Sequence, residues 1–301
     1  IRRTHMPRIN KVIELWDAGQ PVYHVGAGPL TYDNGVAQSQ TWADYLEVDF
    51  ENAPFDGVGL QAFMRGLIAG GPTPSGHRTP TVICTVPANA RTKEEVEANA
   101  WQIRAVLSTG AHGILHTHVR QADATQAFVE ACRYPFQSIG LEDGRLHQGT
   151  RGSGGQETPA EIWGVDPVTY TKIADPWPLN PEGEIITGLK IEDKEGTANA
   201  DFIAAVPGVT YGEWGPGDQG MSHGYADAHD PPDPAEMLAA RERIMAAYKA
   251  SGVRFRSGWR ATDMTVEQQV DKLIGEGVMD LGVGEDGAAY GKTLTNRPKP
   301  R

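Results

Sequence analysis

The chain has 301 residues, 39% of them hydrophobic, with a formal net charge of −12. That composition excludes wholesale disorder and gives enough chain for one large domain or two modest ones. The acidic balance, without basic clusters, argues against a nucleic-acid partner, and no apolar run reaches the about 18 residues a membrane span needs.

The opening stretch IRRTHMPRIN lacks the apolar core of a secretory signal. His5-Met6 reads as the join between an expression-tag remnant, residues 1–5, and a single domain over residues 6–301. An amphipathic helix carrying Ile9, Val12, Ile13 and Trp16 ends at Gly19 and leads into a first strand, Val22–Val25. Further strands are predicted at Tyr45–Val48, Thr81–Thr85, His112–Leu115, Ile185–Ile191, Val209–Glu213, Val253–Arg256 and Val278–Val283. Helical patterns fill the gaps at Lys93–Thr109, Ala124–Tyr134, Pro234–Ser251 and Thr265–Gly275. Strands alternating with helices over this length predict an α/β fold, a single-domain (β/α)₈ TIM barrel. A doubly wound open sheet is disfavoured because HVGAGP after the first strand is not a GxGxxG turn.

Two segments break the spacing. Residues 135–183, between strands four and five, are rich in Gly, Pro and polar residues and read as a long lid or an oligomer contact. Residues 215–234 hold four glycines and then HDPPDP. Cys84 and Cys132 form no CxxC pair and are expected in the core, which fits a reducing cytoplasm.

Active sites of such barrels lie at the C-terminal ends of the strands. Those ends carry Asp49, Glu51 and Asn52, then His116 and His118, Lys190 and Glu192, Glu213 and Asp218, and Glu285 and Asp286. Glu285 and Asp286 read as helix-cap or solvated charges. Glu192 closes the apolar run IITGLKI, where an unpaired charge is costly, and a bound cation relieves that cost. Asp218 follows the glycines of WGPGD, and two carboxylates with open positions suit a hard divalent cation. His116 and His118 alternate along a strand, so both are expected on one face, as a general base or as ligands for a softer metal. His24, His112 and His223 have no sequence partner and read as structural or loop residues. Trp163, Trp177 and Trp214 suggest an oligomer interface more than an aromatic substrate.

The stretches YLEVDFENAPFD, GAHGILHTHVRQADATQAFVEACRYP and LKIEDKEGTANADFIAAVPGVTYGEWGPGD resemble, in order and spacing, segments of the HpcH/HpaI family of metal-dependent 2-keto acid aldolases, from about Asp44 to Gly284. The pairing of an IE strand end with a GPxD turn is the most specific element. The resemblance implies a divalent metal on Glu192 and Asp218, with Mg²⁺ or Mn²⁺ first and Co²⁺ or Zn²⁺ as alternatives. It also implies a pyruvate-like 2-oxo acid whose carboxylate meets the N–H groups of Gly217 and Asp218, an aldehyde as second substrate, and a homo-oligomer (trimer or hexamer). Glu51 would hold a coordinated water, and the metal would stabilise an enolate as the C–C bond breaks or forms.

Three positions depart from the family pattern. Asn52 stands where the family places a proton-transferring histidine, Thr85 where it places an arginine beside the substrate oxygens, and Lys190 where relatives often have glutamine. One reading unifies them: His116 or His118 takes over proton transfer and Lys190 supplies the lost positive charge. The expected function is therefore a metal-dependent carbon–carbon lyase. Alternatives are a metal-assisted decarboxylase or C–C hydrolase on an oxo acid, and a non-catalytic descendant that binds a small acid.

Overall fold

In the computed structural model, which describes residues 8–227 and 230–298, eight strands close into a barrel in chain order. They are β1 (Val22–Gly26), β2 (Tyr45–Val48), β3 (Thr81–Thr85), β4 (Gly113–His116), β5 (Ile186–Ile191), β6 (Tyr211–Trp214), β7 (Arg254–Ser257) and β8 (Asp280–Leu281). Every neighbouring pair is parallel, and β8 returns to β1 through Val22 beside Asp280. The expected (β/α)₈ barrel is the fold. Strand ends differ by a few residues from the sequence expectation, most at β8, which is two residues long rather than Val278–Val283. The proposed remnant at residues 1–5 and the outer ends of the 6–301 domain lie outside the described residues.

The helices are α1 (Lys11–Asp17), α2 (Tyr32–Gln38), α3 (Gly57–Ala69), α4 (Lys93–Leu107), α5 (Ala122–Ala131), α6 (Glu157–Trp163), α7 (Pro167–Ile173), α8 (Lys194–Ala198), α9 (Ala200–Ala204), α10 (Pro216–His223), α11 (Ala235–Ala250), α12 (Val266–Gly275) and α13 (Gly284–Leu294). Their starts follow from local chemistry. Thr92 caps α4 through Glu95 N, and Thr265 with Gln268 closes a reciprocal capping box on α12. The sequence pattern missed α2 and α3. Both are glycine-bearing, and they pack so closely that a Cβ on Gly35 would stand 2.2 Å from Phe63 O.

Strand alternation divides the interior in two. Val22, Tyr45, Ile83, Leu115, Ile186 and Tyr211 point inward and form the inner core with Trp16 of α1, which plugs the N-terminal end of the barrel. Ile114, Cys84, Leu189 and Phe255 point outward into the larger core between strands and helices. Cys84 and Cys132 are both buried and unbridged, as expected.

Residues 135–183, expected to be a long lid or an oligomer contact, contain two helices, α6 and α7. Trp163 stacks on His112 and donates to Gly110 O, and Trp177 stacks on Trp16, so the segment is anchored at the side and the N-terminal end of the barrel. Trp163 and Trp177 are therefore core residues rather than interface residues. Arg133, at the end of α5, fixes the segment with a two-pronged ion pair to Asp175, both fully enclosed. No helix among the described residues is long and apolar enough to cross a membrane.

Candidate metal and active site

The C-terminal ends of β2, β4, β5 and β6 bring together Glu51, His118, Glu192 and Asp218, with one ligand atom of each lying within 4.8 Å of the others. Glu192 extends inward from the end of β5 and is fully buried. Its Oε1 accepts from the main-chain N–H of His118 at 2.7 Å and lies 3.3 Å from His118 Nδ1. Its Oε2 has no hydrogen-bond partner; the nearest cation is Lys190 Nζ at 3.4 Å. A Cβ on Gly215 would stand 2.2 Å from that oxygen, so only glycine leaves it room. Burial pushes the Glu192 carboxyl up to about 8, against the lowering pull of Lys190 and His118. A buried carboxylate oxygen without a partner, facing an imidazole and two further carboxylates, is a donor set that could hold a divalent cation.

Glu51 faces this oxygen from the loop after β2. Its Oε1 lies 3.3 Å from His118 Nε2 and its Oε2 accepts from Lys190 Nζ at 2.8 Å. Burial alone would raise its pKa, but the hydrogen bond with His118 and the charge of Lys190 hold it below the usual value. The same hydrogen bond, with Glu192 and Asp218 nearby, raises His118 above the ordinary imidazole value. Burial disfavours the Lys190 ammonium, but Glu192, Glu213 and Glu51 outweigh it and keep its pKa high. Asp218 lies in the first turn of α10, a helix that starts at Pro216 with no side-chain cap. The N–H groups of Gly217 and Asp218 in that turn have no intrahelical acceptor and are suited to an anion.

Three sequence-proposed residues fall elsewhere. β4 ends at His116, and the chain then passes through His118 at φ 55°, so the alternation that would put both histidines on one face stops there. His116 points outward, 2% exposed, packed edge-on against Phe128 with Nε2 3.2 Å from Ala88 O. Burial pushes its pKa down to about 4; it is a neutral packing residue. Thr85 is buried, and its Oγ1 accepts from Phe50 N and Glu51 N while donating to Asp49 Oδ1. It holds the loop that aims Glu51 instead of facing substrate. Asn52 is exposed, with its amide on Asp49 Oδ2. Glu285 and Asp286 sit in the first turn of α13, where they complement the helix dipole.

The sequence reading passed over a charged layer beneath the cluster. Arg256 of β7 makes a bidentate pair with Glu47 of β2 at 2.7 Å for both bonds, and its Nε is 3.5 Å from Glu213 of β6. His24 lies between Arg256 Nη2 at 3.1 Å and Asp280 Oδ1 at 2.8 Å, so it joins this network rather than standing alone. Burial would raise the Glu47 pKa, but Arg256 reverses that and takes it down to about 2. The signal was available: Glu47 interrupts the apolar strand YLEV, Arg256 alternates with Phe255 in RFRS, and the two share the inward face with Tyr45 and Arg254. Beside the cluster, a cavity of about 770 Å³ opens between the ends of β6, β7 and β8, walled by Trp214, Ser257, Trp259 and Arg260 with Glu213 among its lining.

Comparison with known proteins decides the lineage. The family model of HpcH/HpaI aldolase/citrate lyase matches residues 86–288. The chain belongs to the HpcH/HpaI aldolase/citrate lyase family. It is therefore an enzyme of the lyase class acting on carbon–carbon bonds, as the sequence motifs implied. Among the relatives of this HpcH/HpaI protein, a hydroxypyruvate/pyruvate aldolase of Roseobacter denitrificans is 30% identical over 212 residues, 70% of this chain and 68% of that one. A 2-keto-3-deoxy-L-rhamnonate aldolase of Klebsiella pneumoniae is 28% identical over 203 residues, 67% of this chain and 66% of its own length. The barrel is shared with an HpcH/HpaI aldolase/citrate lyase family protein from Burkholderia cenocepacia, at TM-score 0.68 and 20% identity over 95% and 96% of the two chains. It is also shared with a citrate lyase beta subunit of M. tuberculosis complexed with oxaloacetate and magnesium, at TM-score 0.53 and 13% identity over 93% and 97%.

Proposed function

We propose that this HpcH/HpaI protein is a divalent-metal-dependent aldolase that cleaves, or forms, a hydroxy-oxo acid from a pyruvate-like 2-oxo acid and an aldehyde. The observation that carries the proposal is the convergence of Glu51, His118, Glu192 and Asp218 beside the uncapped start of α10. Glu192 and Asp218 would hold the cation, with Glu51 and His118 in reach. The predominance of carboxylate oxygen favours Mg²⁺ or Mn²⁺, and the single imidazole also admits Co²⁺ or Zn²⁺. When bound, the cation supplies Lewis-acid stabilisation of negative charge on the 2-oxo oxygen.

The chain's own groups complete the chemistry. The Gly217 and Asp218 N–H groups receive the substrate carboxylate. Part of the negative potential that raises the His118 pKa would be offset by a cation held by Glu192 and Asp218. The imidazole can then take the proton of the substrate hydroxyl as that carbon becomes the aldehyde and the bonding electrons move toward the 2-oxo group. Lys190, 2.8 Å from Glu51, adds the fixed positive charge that this chain, with Thr85 in place of the family's arginine, lacks. Its ion pairs keep it an ammonium, which disfavours an imine mechanism. The cavity walled by Trp214 and Trp259 gives space for the remainder of the substrate.

The relatives' activities put hydroxypyruvate beside pyruvate in the assay panel. Turnover with an aldehyde series should vanish on chelation, return with Mg²⁺ or Mn²⁺, and be abolished by Glu192→Gln and by Asp218→Asn. Metal binding without aldol products would instead favour decarboxylation or C–C hydrolysis. Two buried free cysteines support a reducing, cytoplasmic setting. Exposed Val58, Phe202 and Met221 support assembly into a trimer or hexamer, which light scattering would measure.

A further inference from the structure

Outside the barrel mouth, the segment between β4 and β5 carries a buried cation that the aldolase chemistry does not use. Arg151 is 3% exposed, yet no carboxylate among the described residues pairs with it. Its guanidinium lies 4.4 Å over the Tyr134 ring and 5.6 Å from the Tyr170 ring, and it donates one hydrogen bond, to Tyr170 Oη at 2.9 Å. Its Nη1 is buried with no partner. Aromatic faces recover part of the cost of enclosing a guanidinium, but not the whole cost of a desolvated, unpaired charge.

This side chain lines a pocket of about 310 Å³ together with Arg104, Ser108 and Trp101 of the α4 region and the Gly152–Gly154 turn. The main-chain N–H groups of residues 152–155 donate to no protein acceptor among the described residues. Gly154 and Gly155 are consecutive positive-φ residues, and a Cβ on Gly155 would lie 3.2 Å from Ser108 Oγ, so the turn closes against the end of α4. The carbonyls of that helix end do not compete for the arginines. Arg104 O accepts from Ser108 N, Val106 O from Thr109, and Leu107 O from Gly110 N and Tyr170 Oη. Two guanidinium groups, one of them buried, serine hydroxyls and free N–H groups, with no acidic residue in the lining, form a cationic donor cradle.

We infer that this pocket is an oxyanion site, separate from the metal cluster, that binds a phosphate group, free or carried on a small organic molecule. A phosphate offers acceptors on all sides and matches the fork geometry of Arg151 and Arg104. The exposed face of Trp101 gives an organic portion something to pack on.

The test is anion titration of the full-length protein, chelated so that no metal-held anion contributes, with inorganic phosphate and phenyl phosphate at matched ionic strength, read by calorimetry and by the rise in Tm. Saturable binding of either probe is expected. It should weaken about tenfold or more in Arg104→Glu, a surface change that leaves the core intact, and in Arg151→Met. Ala105→Trp, which keeps both arginines but fills the pocket, should abolish it. Identical Tm values in phosphate and chloride would overturn the site, as would undiminished binding in Arg104→Glu and Ala105→Trp. Self-association that Arg104→Glu removes, with no response to either probe, would assign the pocket to a carboxylate of a second copy and overturn the small-anion proposal.

Discussion

His118 meets Glu192 twice: its main-chain N–H donates to Oε1 at 2.7 Å, and its Nδ1 lies 3.3 Å from the same oxygen. The left-handed backbone at His118, φ 55°, is what permits both contacts, because it turns the chain back over the end of β5. His118→Asn is the informative substitution, since asparagine tolerates that conformation and retains the main-chain bond. The proposed proton transfer requires turnover to fall about 10²- to 10⁴-fold with the fold unchanged. Steady-state kinetics at full wild-type rate would remove His118 from the mechanism.

Gly215→Ala should disturb the cluster without unfolding the barrel. The added Cβ would stand 2.2 Å from Glu192 Oε2 and 2.9 Å from Glu192 Cβ, while φ −91° suits any residue. Overpacking of this kind costs about 1–3 kcal/mol. Divalent-metal affinity measured by calorimetry should fall about tenfold or more, with far-UV circular dichroism unchanged. Unaltered affinity would mean that Glu192 Oε2 is not a ligand.

Lys190 and a cation share the same carboxylates, 2.8 Å from Glu51 and 3.4 Å from Glu192. Removing its charge by Lys190→Met should tighten metal binding, on the order of tenfold, because one positive charge no longer opposes the other. Turnover should nevertheless drop, since the charge facing the reacting oxygens is lost. A variant in which metal affinity and kcat fall together would show that Lys190 only supports the site's structure.

Arg133 and Asp175 are fully enclosed, and their pair ties the end of α5 to the chain entering β5. Arg133→Met leaves a buried carboxylate unpaired and should destabilise the protein by about 3–5 kcal/mol in urea unfolding. Adding Asp175→Leu should restore much of the loss. Failure of the second substitution to rescue would show that the arginine acts through packing and through its bond to Ile139 O.

Glu184 supplies a pH dependence remote from the metal ligands. Burial raises its carboxyl from 4.5 to about 7, although Asn10 N and Arg8 lie against it. A raised folded-state pKa contributes stability that is complete below the unfolded value and is lost as pH climbs through the folded one. The stability of wild type relative to Glu184→Gln should therefore decline, by on the order of 3 kcal/mol, as pH rises from below 4.5 to above 7. Parallel unfolding curves for the two proteins across that window would contradict the assignment.

Much of this was legible in the residues themselves. Apolar strands alternating with helical periods specify the barrel, because both periodicities are local, and the IE and GPxD ends put Glu192 and Asp218 at its mouth. Helices α2 and α3 were not legible: their glycines weaken helical propensity, and close contact between the two compensates. The same holds for α6 and α7, hidden in a stretch of Gly and Pro but capped locally by Asp166 and closed by Gly164 in the left-handed conformation.

What the sequence by itself determined, then, is which residues stand at strand ends and which polar residues interrupt an apolar strand. Only the closed barrel decided which of them meet. The end of strand alternation at His116, followed by the left-handed turn at His118, separated the two histidines, and a hydrogen-bonding role at Thr85 placed Glu51. Arg256 found Glu47 across 209 positions of chain. Such pairings depend on closing a parallel sheet on itself, which brings residues far apart in sequence within bonding distance and carries no local signature.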